Sequence, residues 1–210
     1  MSEARGSWFS ARFYDPFLSL AERAGMAARR ERLLTGARGD VLEIGSGTGL
    51  NLGHYPASVT RLVLSEPEEH MADRLEARVA RGGHAAEVAR VPASSLGYPD
   101  DSFDTVVSTM VLCTVPDPGA ALAEARRVLR PGGALLFCEH VRSDSERLAR
   151  WQDRLHGPWA AFADGCRCNQ DTVALIQDAG FEVTVEERGT WRRMPPLVHP
   201  LAAGRAVPAD

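Results

Sequence analysis

No run in the 210 residues approaches the roughly 18 apolar residues that a membrane-spanning helix needs, so no stable membrane span is expected. The opening stretch, MSEARGSWFSARFYDPF, lacks the unbroken apolar core of a signal peptide. Cysteine is scarce: Cys113, Cys138, Cys166 and Cys168 are the four present. They are not spaced as a disulfide framework, and a chain of this length can build a core without one. A reducing cytoplasm is therefore the expected compartment. There is no excess of positive charge either, the formal net charge being -4. Its arginines alternate with acids, which argues against nucleic acid as a partner. Repeats, low-complexity tracts and linkers are missing, so one domain over residues 1–210 is expected.

What is present is an alternation of apolar runs and amphipathic segments. DVLEIG (40–45) reads as a short buried strand ending in a glycine loop, and TRLVLSE (60–66) as a second strand ending in an acid. PEEHMADRLEARVA (67–80) reads as a helix, with Pro67 at its first position and Met71, Leu75 and Val79 on one face. HAAEVARV (84–91) is a weaker strand and FDTVVSTMVL (103–112) a strong one. GAALAEARRVLR (119–130) is an amphipathic helix that Pro131, Gly132 and Gly133 should stop, and GALLFCEHV (133–141) is a fifth strand. Helices are expected within 7–34 and 144–178, and two late strands at 181–189 and 201–207. Such alternation implies βαβ units, a parallel sheet and helices on both faces. Ligands bind these sheets just past the carboxyl ends of the strands. The expected division is an N-terminal helical lid segment (1–36), a cofactor-binding core (37–141) and acceptor-side helices with the last strands (142–210).

The glycine loop reads VLEIGSGTGLNLGHYP, residues 41–56. A dinucleotide loop wants G-x-G-x-x-G. Gly45 and Gly47 fit, but Leu50 occupies the third position. The glycines instead run Gly45, Gly47, Gly49 directly after Glu43, and Glu66 ends the next strand about twenty residues on, the spacing at which an acid reaches ribose hydroxyls. This E-x-G-x-G-x-G pattern, with SSLGYPDDSFDTVVST and ALAEARRVLRPGGALLF downstream, resembles the class I S-adenosylmethionine-dependent methyltransferases. The resemblance implies a Rossmann-like α/β fold with a mostly parallel seven-stranded sheet and S-adenosylmethionine as methyl donor. It also implies donor contacts at Glu43, Gly45, Ser46, Gly47, Gly49, Asn51, Glu66, Pro67, Met71, Ser95, Leu96 and Thr109, with Tyr14 over the donor's carboxylate. Glu66 takes the ribose and Glu43 orients the methionine end. Ser95 and Leu96 lie against adenine, largely through backbone, because the acid that many relatives carry just before this leucine is absent. Proline follows Gly49 so soon that the helix after the loop must be very short.

The acceptor is read from other stretches. L-C-x-V at 112–115, E-H-V at 139–141 and P-W…F-x-D-G-C at 158–166 resemble the thiol-methylating branch of that family. Animal members of the branch are membrane-anchored, and this chain carries no such hydrophobic N-terminal run. Methyl transfer is an in-line displacement that depends on holding donor and acceptor at near-attack distance and excluding water. A thiol is partly ionised near neutrality and needs little help from a base. The candidates around the acceptor are His140, Asp164 and Trp159, the last as an aromatic pocket wall. His156 is weaker, since it could simply end a helix. Asp164 before Gly165 could equally be a turn residue. Cys166 and Cys168 form C-x-C, poor spacing for zinc, so no metal is expected. The expected activity is methyl transfer to a small-molecule acceptor, most plausibly a thiol. N-, O- or C-methylation of a lipid headgroup, quinone or secondary metabolite stays open, as does a non-catalytic module that binds the donor.

Overall fold

A computed structural model describes residues 19–82 and 85–209. Seven strands form one sheet: β1 (Gly39–Ile44), β2 (Val59–Ser65), β3 (Ala86–Ala89), β4 (Phe103–Thr109), β5 (Leu129–His140), β6 (Phe181–Thr190) and β7 (Pro200–Pro208). Their order is β3-β2-β1-β4-β5-β7-β6. β1 to β5 are mutually parallel, while β7 runs antiparallel between β5 and β6. The order reverses between β1 and β4, the place at which open α/β sheets bind their ligands. The helices are α1 (Ala27–Leu34), α2 (Glu69–Gly82), α3 (Pro118–Val128), α4 (Glu146–Phe162) and α5 (Thr172–Asp178). As the glycine-loop sequence predicts, only a single 3-10 turn, Leu52–His54, follows the loop.

The central strands are apolar on both faces because helices cover both. On one face, Val41, Leu64, Val107 and Leu136 pack with Leu33 and Leu34 of α1 and Leu75 of α2. On the other, Leu42, Val63, Val106 and Leu135 pack with Leu122 and Ala125 of α3 and Ile176 of α5. Partners in a parallel ladder share a face. Glu43 pairs with Val107, Val107 with Leu136 and Thr109 with Cys138, so Glu43, Thr109, Cys138 and His140 all point to the first face.

Of the boundaries that depart from the sequence reading, three have a visible cause. α2 starts at Glu69, not at Pro67. Glu68 caps it by accepting the Met71 N–H at 2.7 Å, which leaves Pro67 in the turn before the helix. β4 ends at Thr109 rather than at residue 112, because Met110 takes a left-handed φ of 60°. α3 ends at Val128, before the Pro-Gly-Gly that was expected to stop it. Leu129 is already extended and pairs with Phe103, and Pro131 biases the residue before it away from helix.

Candidate active site at the carboxyl edge of the sheet

Gly45, Gly47 and Gly49 all have positive φ, at 59°, 55° and 82°. Two of them contrast. A methyl group on Gly45 would meet Val111 Cγ1 at 2.6 Å, so the loop there is pressed against the segment after β4. One on Gly47 would meet no described atom within 4 Å. The loop thus packs on protein at one glycine and faces open space at the next, where a ligand can approach the backbone.

Glu66 lies beside that opening and is buried. One carboxylate oxygen accepts the Gly47 N–H at 2.8 Å and the other the Glu68 N–H at 2.9 Å. Each oxygen keeps a free lone pair, which is what a vicinal diol needs. Burial pushes the Glu66 carboxyl above its ordinary range, against the pull of the two backbone donors. The open face of Gly47 and the half-used Glu66 carboxylate suit a ribose-bearing ligand without phosphate. Ser46 is buried, its N–H paired with Ser65 O at 2.9 Å and its hydroxyl with Glu43 O at 3.3 Å.

Glu43 is deeper still. Tyr55 donates its hydroxyl to one oxygen at 2.5 Å and Asn51 Nδ2 donates to the other at 3.1 Å. Asn51 Nδ2 also donates to Thr109 Oγ1 at 3.1 Å, while Asn51 Oδ1 accepts from Arg30 Nη1 at 2.9 Å. Burial raises the Glu43 carboxyl to about 7, opposed by the Tyr55 hydrogen bond, the Arg30 charge and Asn51. Asn51 and Thr109 are therefore engaged with protein groups, in a net that ties β1, the turn after the loop, β4 and α1 together. Sequence reading missed Tyr55 and Arg30. Tyr55 sits in the quoted loop, twelve residues after Glu43, yet no local pattern marks its reach back.

Leu96 is buried and its N–H donates to Glu124 Oε2 at 3.0 Å, while the exposed Ser95 donates its N–H to Pro92 O at 3.0 Å. Backbone donors at both positions are already used, which leaves carbonyls and packing for a ligand. Met71 is half-buried on α2, and Pro67 is exposed. Tyr14 lies outside the described residues.

On the acceptor side the structure joins parts distant in sequence. The segment after β4 is fixed by Glu139, a buried acid that sequence reading passed over beside His140. Its carboxylate accepts the Val111 N–H at 3.0 and 3.1 Å and the Ser108 hydroxyl at 2.7 Å. Burial pushes its carboxyl up against those bonds. The loop after α4 docks on the same segment, with Arg167 N–H to Cys113 O and Gln170 Nε2 to Leu112 O, each at 2.9 Å. This brings Cys166 within 3.1 Å of His140 Nε2, and Trp159 Nε1 donates to its sulfur at 3.2 Å. Trp159 is half-buried against this cluster. Asp164 does not join it: the residue is exposed with φ 46°, followed by Gly165 at φ 84°, and so forms the turn. His156 is also exposed, bonded to Asp153 O through Nδ1 at 2.7 Å.

Residues 42–137 match the family model described as a methyltransferase domain. Human thiol S-methyltransferase TMT1B is 38% identical over 185 residues, covering 83% of this chain and 73% of that protein. A phosphatidylethanolamine N-methyltransferase of Cereibacter sphaeroides is 36% identical over 164 residues, covering 76% of this chain and 75% of the other. Among solved structures, an S-adenosylmethionine-dependent methyltransferase of Thermotoga maritima superposes with a TM-score of 0.68 at 25% identity, covering 94% of this chain and 97% of that one. No helix among the described residues is long and apolar enough to cross a membrane. Sheet order, glycine loop and relatives agree, and the chain belongs to the class I S-adenosylmethionine-dependent methyltransferases, close to the thiol S-methyltransferase branch.

Proposed function

We propose that the protein transfers the methyl group of S-adenosylmethionine to a small thiol. The observation that carries the acceptor class is the extended similarity to thiol S-methyltransferases. In this reading the donor lies along the glycine loop, with Gly47 against its backbone-facing side and Glu66 accepting from both ribose hydroxyls. Leu96 packs on adenine. Glu43, Asn51, Tyr55 and Thr109 shape the methionine end from behind. His140 and Trp159 border the acceptor, whose sulfur attacks the donor's methyl carbon. The carbon–sulfonium bond breaks, and the products are a thioether, S-adenosylhomocysteine and the thiol's proton. The protein's share is alignment and exclusion of water, which in favourable cases lowers a barrier by roughly 7–11 kcal/mol. Asp164 has no part in this scheme, because its side chain is exposed in a turn.

A second reading is N-methylation of an amine headgroup, supported by the similarity to the phosphatidylethanolamine N-methyltransferase. The deciding experiment offers labelled S-adenosylmethionine with a panel of alkyl thiols, amines and phenols. Thiols are expected to be labelled fastest. Turnover of amines or phenols without thiols would reject the thiol reading.

A further inference from the structure

Cys113, His140 and Cys166 come from three separate segments: the loop after β4, the last residue of β5 and the loop after α4. All three are buried, and their sulfur and nitrogen atoms lie within 4.8 Å of one another. The donor-binding scheme uses neither cysteine. Cys166 Sγ lies 3.1 Å from His140 Nε2 and accepts the Trp159 Nε1–H at 3.2 Å. Cys168, which sequence spacing pairs with Cys166, turns away toward Gln152 O at 3.8 Å. C-x-C spacing therefore does not describe the grouping around Cys166.

We propose that Cys113, His140 and Cys166 bind one zinc-class divalent cation through two thiolates and the imidazole Nε2, with a fourth position left open. Two sulfurs and one imidazole nitrogen are the soft donor set that such an ion selects. Tetrahedral bonds of about 2.3 Å to sulfur and about 2.0–2.1 Å to nitrogen set the ligand atoms roughly 3.5–3.8 Å apart. His140 Nε2 and Cys166 Sγ are 3.1 Å apart and all three ligand atoms lie within 4.8 Å of one another, so side-chain shifts of about 1 Å close the site. The Trp159 N–H already points at Cys166 and can remain as a donor to the bound thiolate. His140 Nδ1 is buried without a hydrogen-bond partner among the described residues, so the protein leaves the tautomer for Nε2 ligation available. Binding releases one proton from each thiol that was not already ionised.

Three protein ligands with an open position is the pattern of catalytic rather than structural zinc. His140 shares the sheet face of Glu43 and Thr109, so the cluster lies on the same side of the sheet as the groups that shape the proposed donor site. An acceptor thiol fits there as the fourth ligand, a step that rests on the thiol reading. On coordination it releases its proton to solvent, its sulfur attacks the donor's methyl carbon as the carbon–sulfonium bond breaks to leave S-adenosylhomocysteine, and the neutral thioether, a weaker ligand, departs.

The test strips the purified protein with EDTA and titrates it with zinc chloride against a chromophoric chelator, then with cobalt(II). One equivalent of zinc is expected, and the cobalt form should show tetrahedral d–d bands with a thiolate charge-transfer band. Cys113→Ser and Cys166→Ser should each weaken both, while Cys168→Ser should match the parent. Retained binding of S-adenosylhomocysteine shows that the variants are folded. No zinc uptake by the parent protein, or equal uptake by the Cys113→Ser/Cys166→Ser double variant, overturns the site. Ethanethiol added to the cobalt form should intensify the charge-transfer band. Full-rate methylation of ethanethiol by the stripped protein overturns the open-position role and leaves the thiol reading standing. Failure of all thiols in the acceptor panel rejects the thiol reading, and zinc stoichiometry still decides the cation site.

Discussion

Gly45 and Gly47 sit two residues apart with nearly the same backbone, φ 59° and 55°, yet alanine at each should do different damage. A non-glycine residue in this left-handed region costs about 1–2 kcal/mol. Alanine recovers roughly 0.4–1 kcal/mol of that by restricting the unfolded chain. For Gly47→Ala nothing else is added, because the new methyl meets no described atom within 4 Å. Its stability should fall by about 1 kcal/mol or less. For Gly45→Ala the methyl lands 2.6 Å from Val111 Cγ1 and 2.8 Å from Cγ2. Val111 cannot simply retreat, since its N–H is held by the Glu139 carboxylate. Overpacking of this kind adds about 1–3 kcal/mol, giving a total loss of roughly 1–4 kcal/mol. Binding should rank the other way for Gly47. Its methyl occupies the space that the donor is proposed to use, so the Kd for S-adenosylhomocysteine should rise at least about tenfold, or about 1.4 kcal/mol. Denaturant unfolding measures the first quantity and titration calorimetry the second. Unchanged affinity in a folded Gly47→Ala protein would remove the donor from that face of the loop. Equal stability of the two variants would refute the account of the Val111 contact.

Glu66→Ala should weaken binding of S-adenosylhomocysteine by about 1.5–3 kcal/mol, the scale for hydrogen bonds to a charged group, and an unchanged Kd in calorimetry takes Glu66 out of the site. Glu43 carries a pH signature. Its folded pKa of about 7 exceeds the unfolded 4.5, so the stability it contributes is present below about 4.5 and lost as pH rises to about 7. Glu43→Gln should flatten that segment of the stability–pH curve, by up to ~3 kcal/mol, and an unaltered slope in denaturant melts across pH contradicts the buried-acid reading. Asp164→Asn should leave kcat within about twofold, since asparagine also tolerates a left-handed turn. A larger fall in steady-state assays would return Asp164 to the acceptor site.

The donor half was legible because its determinants are local. Three alternate glycines after an acid, and a second acid at the end of the next strand, lie within two strand-to-loop units, and the parallel core follows from the alternation of strands and helices. Element ends were less legible where a tertiary contact decides them. Thr109 ends β4 because Met110 turns left-handed before the Glu139-bound segment, and nothing in VVSTMVL marks that. Chain separation hid the acceptor cluster. The L-C-x-V and E-H-V motifs mark Cys113, Glu139 and His140 without showing that they meet in space, and the nearest cysteine in sequence to Cys166 is not its partner in space. Tyr55 was missed for the same reason as Glu139: a buried acid's partners are set by which loop folds back over it.

The segment from Met110 to Cys113 links the two halves. Its left-handed first residue carries a backbone strain that a methionine adopts only when its surroundings fix it. The fixing groups are visible: Met110 N–H to Cys138 O at 2.9 Å, and Val111 N–H to the Glu139 carboxylate. One residue of that segment presses on Gly45 at the donor loop, and another, two positions on, supplies Cys113 to the acceptor cluster. A methyl transfer depends on the distance between two bound partners more than on any single group. In the proposed site that distance depends on a strained, doubly anchored stretch of four residues, so the buried Glu139 that anchors it can matter as much to alignment as a residue that touches either partner.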